Sequence, residues 1–351
     1  MRYTSIDGFS GAGGLSLGLV MAGFEILYAF DNDPVSIETH KRNKKYFKHR
    51  SAVCDINILN GNLLLKEIGL KKGELFLLTG GPPCQGFSVQ RIGADADDRN
   101  NLVLEYARLI TEIKPKFFLM ENVPGLAGRR GKTILDSFLS KVWSTGYYPY
   151  MKVLNAEDYG VPQRRKRIFV VGIRNDLFHG VFSFPRPASI NGSRVTVAEV
   201  IGGLPEPPSD GSDHPSIAHH RRDRLNALNL ARIGALKPGQ GMEFLPDELL
   251  ADCHKIGADK IGHRNVYGRM AWDDVAPTIT ARFDSFTRGK FGHPEQDRSI
   301  TLREGALLQT FTMDFIFSGN KVEIARQIGN AVPPKLAEAV GKMILSYYGS
   351  E

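Results

Sequence analysis

Gly80-Gly81-Pro82-Pro83-Cys84-Gln85-Gly86-Phe87-Ser88 is the stretch from which the rest of the chain can be read. The six residues before it, Glu74-Leu75-Phe76-Leu77-Leu78-Thr79, read as a short buried strand, because an apolar run closed by two glycines and two prolines cannot continue in a sheet. Cys84 is thereby delivered to the carboxyl end of a strand, the edge of an open α/β sheet at which ligands bind. The prolines fix their own φ angles and carry no N–H, so the backbone holding the sulfur is stiff before any substrate arrives. A cysteine taken at random is more often a small apolar filler. Among turn residues it reads instead as a nucleophile. The polar segment after Gly86 suits a loop that moves over whatever the thiol attacks.

Working outward, Asp7-Gly8-Phe9-Ser10-Gly11-Ala12-Gly13-Gly14-Leu15-Ser16-Leu17-Gly18 is a glycine-rich turn leading into an apolar helix. Such a turn lets a nucleotide-like ligand approach the backbone and the helix N-terminus, although alone it is a weak signal. Glu25-Ile26-Leu27-Tyr28-Ala29-Phe30-Asp31 reads as a second strand ending on an acid about 20 residues beyond the glycines, where a carboxylate meets a ribose diol. The plain alternative for Asp31 is a helix cap ahead of Pro34. Val53-Cys54-Asp55-Ile56 reads as a third strand whose acid could accept from an adenine amino group or simply form a turn.

Beyond the cysteine, a helix is expected over about 102–113, then a strand, Phe117-Phe118-Leu119-Met120, closed by Glu121-Asn122-Val123-Pro124-Gly125. A carboxylate directly after four apolar residues is costly unless paired or used, which makes Glu121 a candidate acid at the same edge as Cys84. A helix over about 133–144 and strands over 148–154 and 167–173 follow. Between the strands lies Gly160-Val161-Pro162-Gln163-Arg164-Arg165-Lys166-Arg167. Four successive cations usually mark a solvated face, but at a strand edge an arginine can fork onto a phosphate or a base carbonyl.

From about Phe182 to Ile300 prolines and glycines recur and the α/β rhythm is lost, so this segment reads as a separate small domain of irregular or β character. Its histidines and Cys253 match no metal-site spacing. A helix resumes near Thr301, capped by that residue with Glu304 three positions on. Gln327-Ile328-Gly329-Asn330-Ala331-Val332-Pro333-Pro334 reads as a Gly-Asn turn before a last helix over 335–347, either meeting a ligand or forming an ordinary helix boundary.

With 351 residues the chain has room for two domains, and a net charge of +7 suggests a polyanionic partner, nucleic acid first. Three cysteines without paired spacing suit a reducing compartment. The glycine motif leaves no room for a signal peptide, and no apolar run could span a bilayer. A cytoplasmic protein is expected.

Together these motifs resemble the DNA cytosine-C5 methyltransferase family, in the same order from about residue 3 to 346. The resemblance implies an α/β fold: a Rossmann-like S-adenosylmethionine-dependent methyltransferase domain in 1–180, completed by 322–351, and a second, smaller, irregular/β target recognition domain in 181–321 with its hinge and bracing helix. It implies that Phe9, Gly11, Gly13, Gly14, Asp31, Asn32, Asp55, Ile56, Pro83, Asn330 and Val332 bind S-adenosylmethionine and release S-adenosylhomocysteine, with no metal. Asp31 stands where the family usually has Glu. The catalytic groups would be Cys84, Glu121, Arg165 and Arg167. Gln85, Ser88, Arg91, Arg99, Gln163, Thr278 and Arg303 would meet double-stranded DNA.

The implied chemistry is addition of the Cys84 thiolate to C6 of a flipped-out cytosine, with Glu121 at N3 and Arg167 at O2, before C5 is methylated. The implied setting is a bacterial restriction-modification system, in which a monomer acts on DNA with no membrane contact and shares its site with a cognate restriction endonuclease. A tRNA cytosine methyltransferase would use the same motifs. A nicotinamide-dependent oxidoreductase would leave Cys84 and Glu121 unexplained, and a silent DNA-binding module would have no use for them.

Overall fold

The apolar runs pair into one seven-stranded sheet in the computed structural model, which describes residues 2–83, 101–187, 194–252 and 266–350. The strands are β1 (Thr4–Gly8), β2 (Glu25–Asp31), β3 (Arg50–Val53), β4 (Leu77–Gly80), β5 (Phe117–Asn122), β6 (Tyr147–Asn155) and β7 (Lys166–Arg174), in the order β3-β2-β1-β4-β5-β7-β6. The first five run parallel, whereas β7 is antiparallel to both β5 and β6. β4 and β5 are buried along their whole lengths, as unbroken apolar strands of a parallel sheet must be. The strand order reverses between β1 and β4. At such a reversal a crevice opens outside the carboxyl ends.

Two differences from the expected elements lie here. β3 ends at Val53 rather than running to Ile56, so Asp55 falls in the turn after it. β4 begins at Leu77, although Leu75 and Phe76 are just as buried.

Helices α1 (Gly14–Ala22), α2 (Pro34–Arg42), α3 (Gly61–Glu67), α4 (Asn101–Ile113) and α5 (Lys132–Ser144) alternate with these strands. α4 buries the stripe Val103, Tyr106, Ala107, Leu109, Ile110 and Ile113, and the Tyr106 hydroxyl lies 3.0 Å from the carbonyls of both Leu78 and Leu119. It thereby ties α4 to neighbouring strands β4 and β5. No helix among the described residues is long and apolar enough to cross a membrane.

The chain forms two compact units, one of Met1–Asn155, Lys166–Pro187 and Val332–Glu351, the other of Ala156–Arg165 and Ala188–Ala331. The first unit thus takes 181–187 from the expected recognition domain, and the second takes two pieces expected in the catalytic domain, 156–165 and 322–331. Hydrogen bonds explain both. Ala276 and Pro162 join backbone to backbone, and Arg165 bonds the carbonyls of Ile279 and Gly329.

The second unit contains α6 (Val197–Ile201), α7 (Ala227–Gly234), α8 (Leu302–Leu308) and α9 (Lys321–Asn330), and among its described residues only isolated bridges in place of a sheet. Carbonyls without a ladder still need donors. Buried arginines supply them: Arg269 donates to the carbonyls of Ile233, Leu236, His293 and Gln296, and Arg303 to those of Ala218, Thr312 and Phe315. Arg298 forks onto Glu304 at 2.7 and 2.8 Å, and Glu304 closes the Thr301 capping box that starts α8. Gly329 and Asn330 end α9 rather than forming a turn. A Cβ on Gly329 would stand 2.2 Å from the Thr280 carbonyl carbon, so close packing accounts for that glycine.

The chain returns to the first unit as α10 (Pro334–Tyr348), which packs on α1. At Gly18 a Cβ would lie 2.3 Å from the Pro334 carbonyl oxygen and 2.5 Å from the Ala337 Cβ. In an open helix interior, Gly→Ala stabilises by about 0.5–1 kcal/mol. At Gly18 the sign should invert: Gly18→Ala is expected to lower the thermal midpoint, with an overpacking cost of about 1–3 kcal/mol, and a raised midpoint would contradict this packing.

Candidate active site

The carboxyl edge of the sheet collects the groups that matter. β1 ends in the turn Phe9–Gly13, β2 in Asp31, β4 in Gly81-Pro82-Pro83 and β5 in Glu121-Asn122. β7 runs the other way and therefore begins where β5 ends, with Asn122 opposite Ile168. Arg167 consequently meets Glu121, Nε to Oε1 at 2.8 Å, with side chains only 14% and 11% exposed. Burial pulls the Arg167 guanidinium below its ordinary range, and the Glu121 charge opposes that shift. Arg167 Nη1 donates to the Lys166 carbonyl, which leaves Nη2 for a ligand.

The neighbouring turn is fitted to this pair. A Cβ on Gly81 would lie 3.3 Å from Glu121 Oε2, so a larger side chain would crowd the carboxylate. Asn122 Nδ2 donates to the Pro82 carbonyl at 2.8 Å, and its Oδ1 accepts from the Val123 N–H. Asn122 thus ties the end of β5 to the turn that leads to Cys84. In the sequence, the signal for Asn122 is its place beside Glu121 at a strand end. Pro83 closes the described part of this turn. Cys84, Gln85, Ser88, Arg91 and Arg99 lie outside the described residues.

At the end of β1 the backbone turns sharply. Phe9 adopts a left-handed conformation with φ 55°, rare for a side chain of its size, and Gly11 and Gly13 follow with positive φ. Asp31 fixes the turn from β2: Oδ2 accepts the Gly11 N–H at 2.8 Å and Oδ1 the Asp33 N–H at 2.9 Å. Burial raises the Asp31 carboxyl above its usual range, against the pull of these N–H groups. Each oxygen keeps a further lone pair for a hydroxyl donor. The helix-capping role considered for Asp31 belongs to Asp33, whose side chain accepts from the Val35 N–H.

Behind the turn stands a cluster that the sequence did not single out. His40 Nε2 lies 3.1 Å from the Gly11 carbonyl, its Nδ1 lies 3.1 Å from His49 Nε2, and its ring stacks on Phe47. A carbonyl can only accept, so His40 carries its proton on Nε2 and takes one from His49 at Nδ1. A Cβ on Gly13 would strike the Phe47 ring at 2.6 Å. The available signal was His40 on the buried stripe of α2 with Ser36 and Ile37. Deeper still, Asp7 accepts from Ser16 Oγ at 2.5 Å and Thr79 Oγ1 at 2.8 Å, and burial pushes its carboxyl up to about 6.

These residues fit S-adenosylmethionine. A Cβ on Gly11 would meet no atom within 4 Å, so the backbone is open to a ligand there, while the buried Ser10 hydroxyl has no partner among the described residues. The Phe9 ring is half-buried and Asn32 is exposed. Asp55 is exposed, with one oxygen taken by Asn57, and the Ile56 side chain is in the core. Gly14 is buried as the first residue of α1. Asn330 is exposed at the end of α9 in the second unit, and Val332 opens the return to the first.

Three polar residues expected at the base or the DNA have other partners. Gln163 is fully buried, giving Nε2 to Gln309 Oε1 and the Leu308 carbonyl and taking the Ile279 N–H at Oε1. Arg165 is 1% exposed, with both terminal nitrogens on backbone carbonyls. Arg303 is 0% exposed, and burial pulls its guanidinium down to about 10. All three hold the second unit together. Thr278 is half-buried and donates to the Arg164 carbonyl.

A seven-stranded sheet with an antiparallel β7, a glycine turn answered by an acid, and a buried acid–arginine pair beside it define an S-adenosylmethionine-dependent methyltransferase of the α/β class. Residues 3–346 match the family model of the C-5 cytosine-specific DNA methylases. A type II methylase of Herpetosiphon aurantiacus, M.HgiDII, is 36% identical over 343 residues, 97% of this chain and 94% of that one. The type II methyltransferase M1.HphI of Haemophilus parahaemolyticus is 34% identical, over 100% of this chain and 89% of that one. The crystal structure of a protein described as a DNA modification methyltransferase encoded within an E. coli prophage superposes with a TM-score of 0.77 at 28% identity, covering 99% of this chain and all of that one. The chain belongs to the C-5 cytosine-specific DNA methylase family and is a DNA (cytosine-5-)-methyltransferase.

The His40–His49 pair carries a pH signature. Burial pushes His40 down to about 3 and His49 to about 4 from an ordinary 6.5. Between those values the unfolded chain binds protons that the folded one refuses, so their share of stability is complete above about pH 6.5 and is lost as the pH falls. Asp7 acts in the opposite sense, since its raised value favours the folded state as the pH falls below about 6. In denaturant melts from pH 8 to 5, His40→Phe is expected to flatten the acid-side decline by up to about 1.4 kcal/mol per pH unit relative to the parent. Parallel curves would show that His40 does not titrate in this way.

Proposed function

We propose that this protein methylates cytosine C5 within a short specific sequence of double-stranded DNA, as the modification partner in a restriction-modification system. The buried Glu121–Arg167 pair, beside the turn that leads to Cys84, is the observation that carries the mechanism. Cytosine C5 is a poor nucleophile, so the ring must first be activated. Cys84, as thiolate, adds to C6 and breaks the C5–C6 double bond. Glu121, once protonated, supplies a proton at N3, and Arg167, its Nε held by Glu121, turns Nη2 to O2, so charge developing on the ring is met by fixed donors. When bound, S-adenosylmethionine would supply the methyl group that C5 receives. Loss of the C5 proton to water, return of the N3 proton to Glu121 and expulsion of the Cys84 sulfur as thiolate restore the aromatic ring.

The base must leave the duplex for the sulfur to reach C6, at a cost of a few kcal/mol. Gln85, Ser88, Arg91 and Arg99 would contact the strand. Thr278 would meet the backbone. Phe9, Asp31 and Asp55 would take the adenosine of the methyl donor, with Asn32 and Val332 at its rim, while Asn330 is proposed as a cofactor contact on its sequence motif alone. Gln163, Arg165 and Arg303 act by positioning, since the Gln163 amide, the terminal nitrogens of Arg165 and the Arg303 guanidinium are bonded within the second unit. The proposed setting is a bacterial cytoplasm, where a monomer would mark the site cut by a cognate endonuclease. The relatives named above are type II modification enzymes of bacteria.

Expression in a methylation-free bacterial host followed by bisulfite sequencing tests this reading. Methylcytosine is expected within one short motif, absent with Cys84→Ser and formed roughly 10²–10⁴-fold more slowly in vitro with Glu121→Gln. An unmodified genome in cells containing the folded protein, with methyl transfer to tRNA instead, would replace the DNA reading.

A further inference from the structure

The second unit holds a cavity of about 260 Å³ bounded by three chain segments, around residues 223–229, 282–286 and Lys321. It belongs to none of the groups discussed so far. Counting hydrogen-bonding capacity around it shows what it can take. Its acceptors are engaged: Asn226 Oδ1 takes the Asn229 N–H at 2.8 Å, and Asn229 Oδ1 takes Arg232 Nη1 at 3.0 Å. Its two carboxylates are engaged as well. Asp223 pairs with Lys321, and the buried Asp284 is shared between Arg282 Nε at 3.1 Å and Lys321 at 3.4 Å.

The donors are in the opposite condition. Lys321 is answered by two acids, but Arg282 is bonded through Nε alone, which fixes the guanidinium plane and leaves both terminal nitrogens available. Arg224 is exposed and reaches only the Asp210 carbonyl, at 3.5 Å, among the described residues. The amide nitrogens of Asn226 and Asn229 also line the space. Three cations against two carboxylates leave one positive charge. Available guanidinium nitrogens in a lining with more cations than carboxylates favour an anion that accepts hydrogen bonds.

We infer that this cavity seats one backbone phosphate of the DNA duplex, gripped by the terminal nitrogens of Arg282 and Arg224. The Asp284–Lys321 pair serves as the support that holds the Arg282 fork in plane. Arg282 lies four residues after Thr278, so the seat and the proposed backbone contact share one short stretch of chain. A phosphate held here carries no sequence information. It fixes the register in which other side chains reach base edges.

The inference rests on the DNA reading given above, and the test separates the two. Affinity for a short duplex containing the methylated motif is measured over a salt series for the parent, Arg224→Gln, Arg282→Gln and the double variant, without methyl donor. Loss of one phosphate contact is expected to reduce the slope of log K against log salt by about 1 and to weaken binding similarly for cognate and unrelated duplexes. Because both arginines grip the same phosphate, the double variant should lose little more slope than either single one. In turnover, KM for DNA should rise several-fold with kcat held. An unchanged slope and affinity in the double variant would overturn the phosphate seat, whether or not methyl transfer proceeds. A parent that binds duplex with the expected slope but never methylates it would instead overturn the catalytic reading. Arg224 is exposed, so its variant keeps the test valid should Arg282→Gln fail to fold.

Discussion

The antiparallel pairing of β7 with β5 is the constraint on which the site depends. A parallel β7 would begin at the far edge of the sheet, some six residues and about 20 Å from the end of β5. Glu121 would then be a carboxylate buried at the end of an apolar strand with no cation, a state that costs several kcal/mol. Running the other way, β7 starts beside Glu121 and supplies Arg167 there. The pair in turn demands a small residue at Gly81 and shares its edge with the Asn122–Pro82 bond. One choice of strand direction thus orders an acid, a cation and the approach to the cysteine together.

The two units satisfy their backbones in different ways. In the first, ladders do the work and polar side chains are needed only where the chain leaves the sheet, as with Asp31 at the glycine turn. In the second, guanidinium groups replace ladders: Arg165, Arg269 and Arg303 each bind carbonyls from separate stretches of chain. A fold pinned at a few such points leaves the intervening segments free of pairing register.

Much of the first unit was legible because its signals are local. β2 falls on the residues that its apolar run predicted, α4 and α5 begin within a residue of expectation, and Glu121 ends its strand as an acid at a ligand edge should. The glycines and Asp31 were readable as a set because a tight turn and an answering carboxylate have characteristic spacing. Gln163, Arg165 and Arg303 misled for the opposite reason. An arginine in a motif reads alike whether its fork meets a phosphate or carbonyls more than a hundred residues away, and only tertiary structure distinguishes the two. Gly329-Asn330 has the composition of a turn, yet α9 continues through it because the glycine is needed for its missing side chain. His40 was passed over because a buried histidine has no sequence signature apart from its stripe.

The fit of α10 against α1 at Gly18 bears on how the molecule comes into being. These helices are separated by more than three hundred residues, with the whole second unit between them. During synthesis the strands of the first unit can pair as they emerge, but the face of α1 stays wet until the last helix arrives. A nascent chain therefore carries an uncovered apolar surface for most of its translation, a condition under which partly folded chains aggregate or engage chaperones. Closure over so long a loop must be paid for in chain entropy before the contact rewards it.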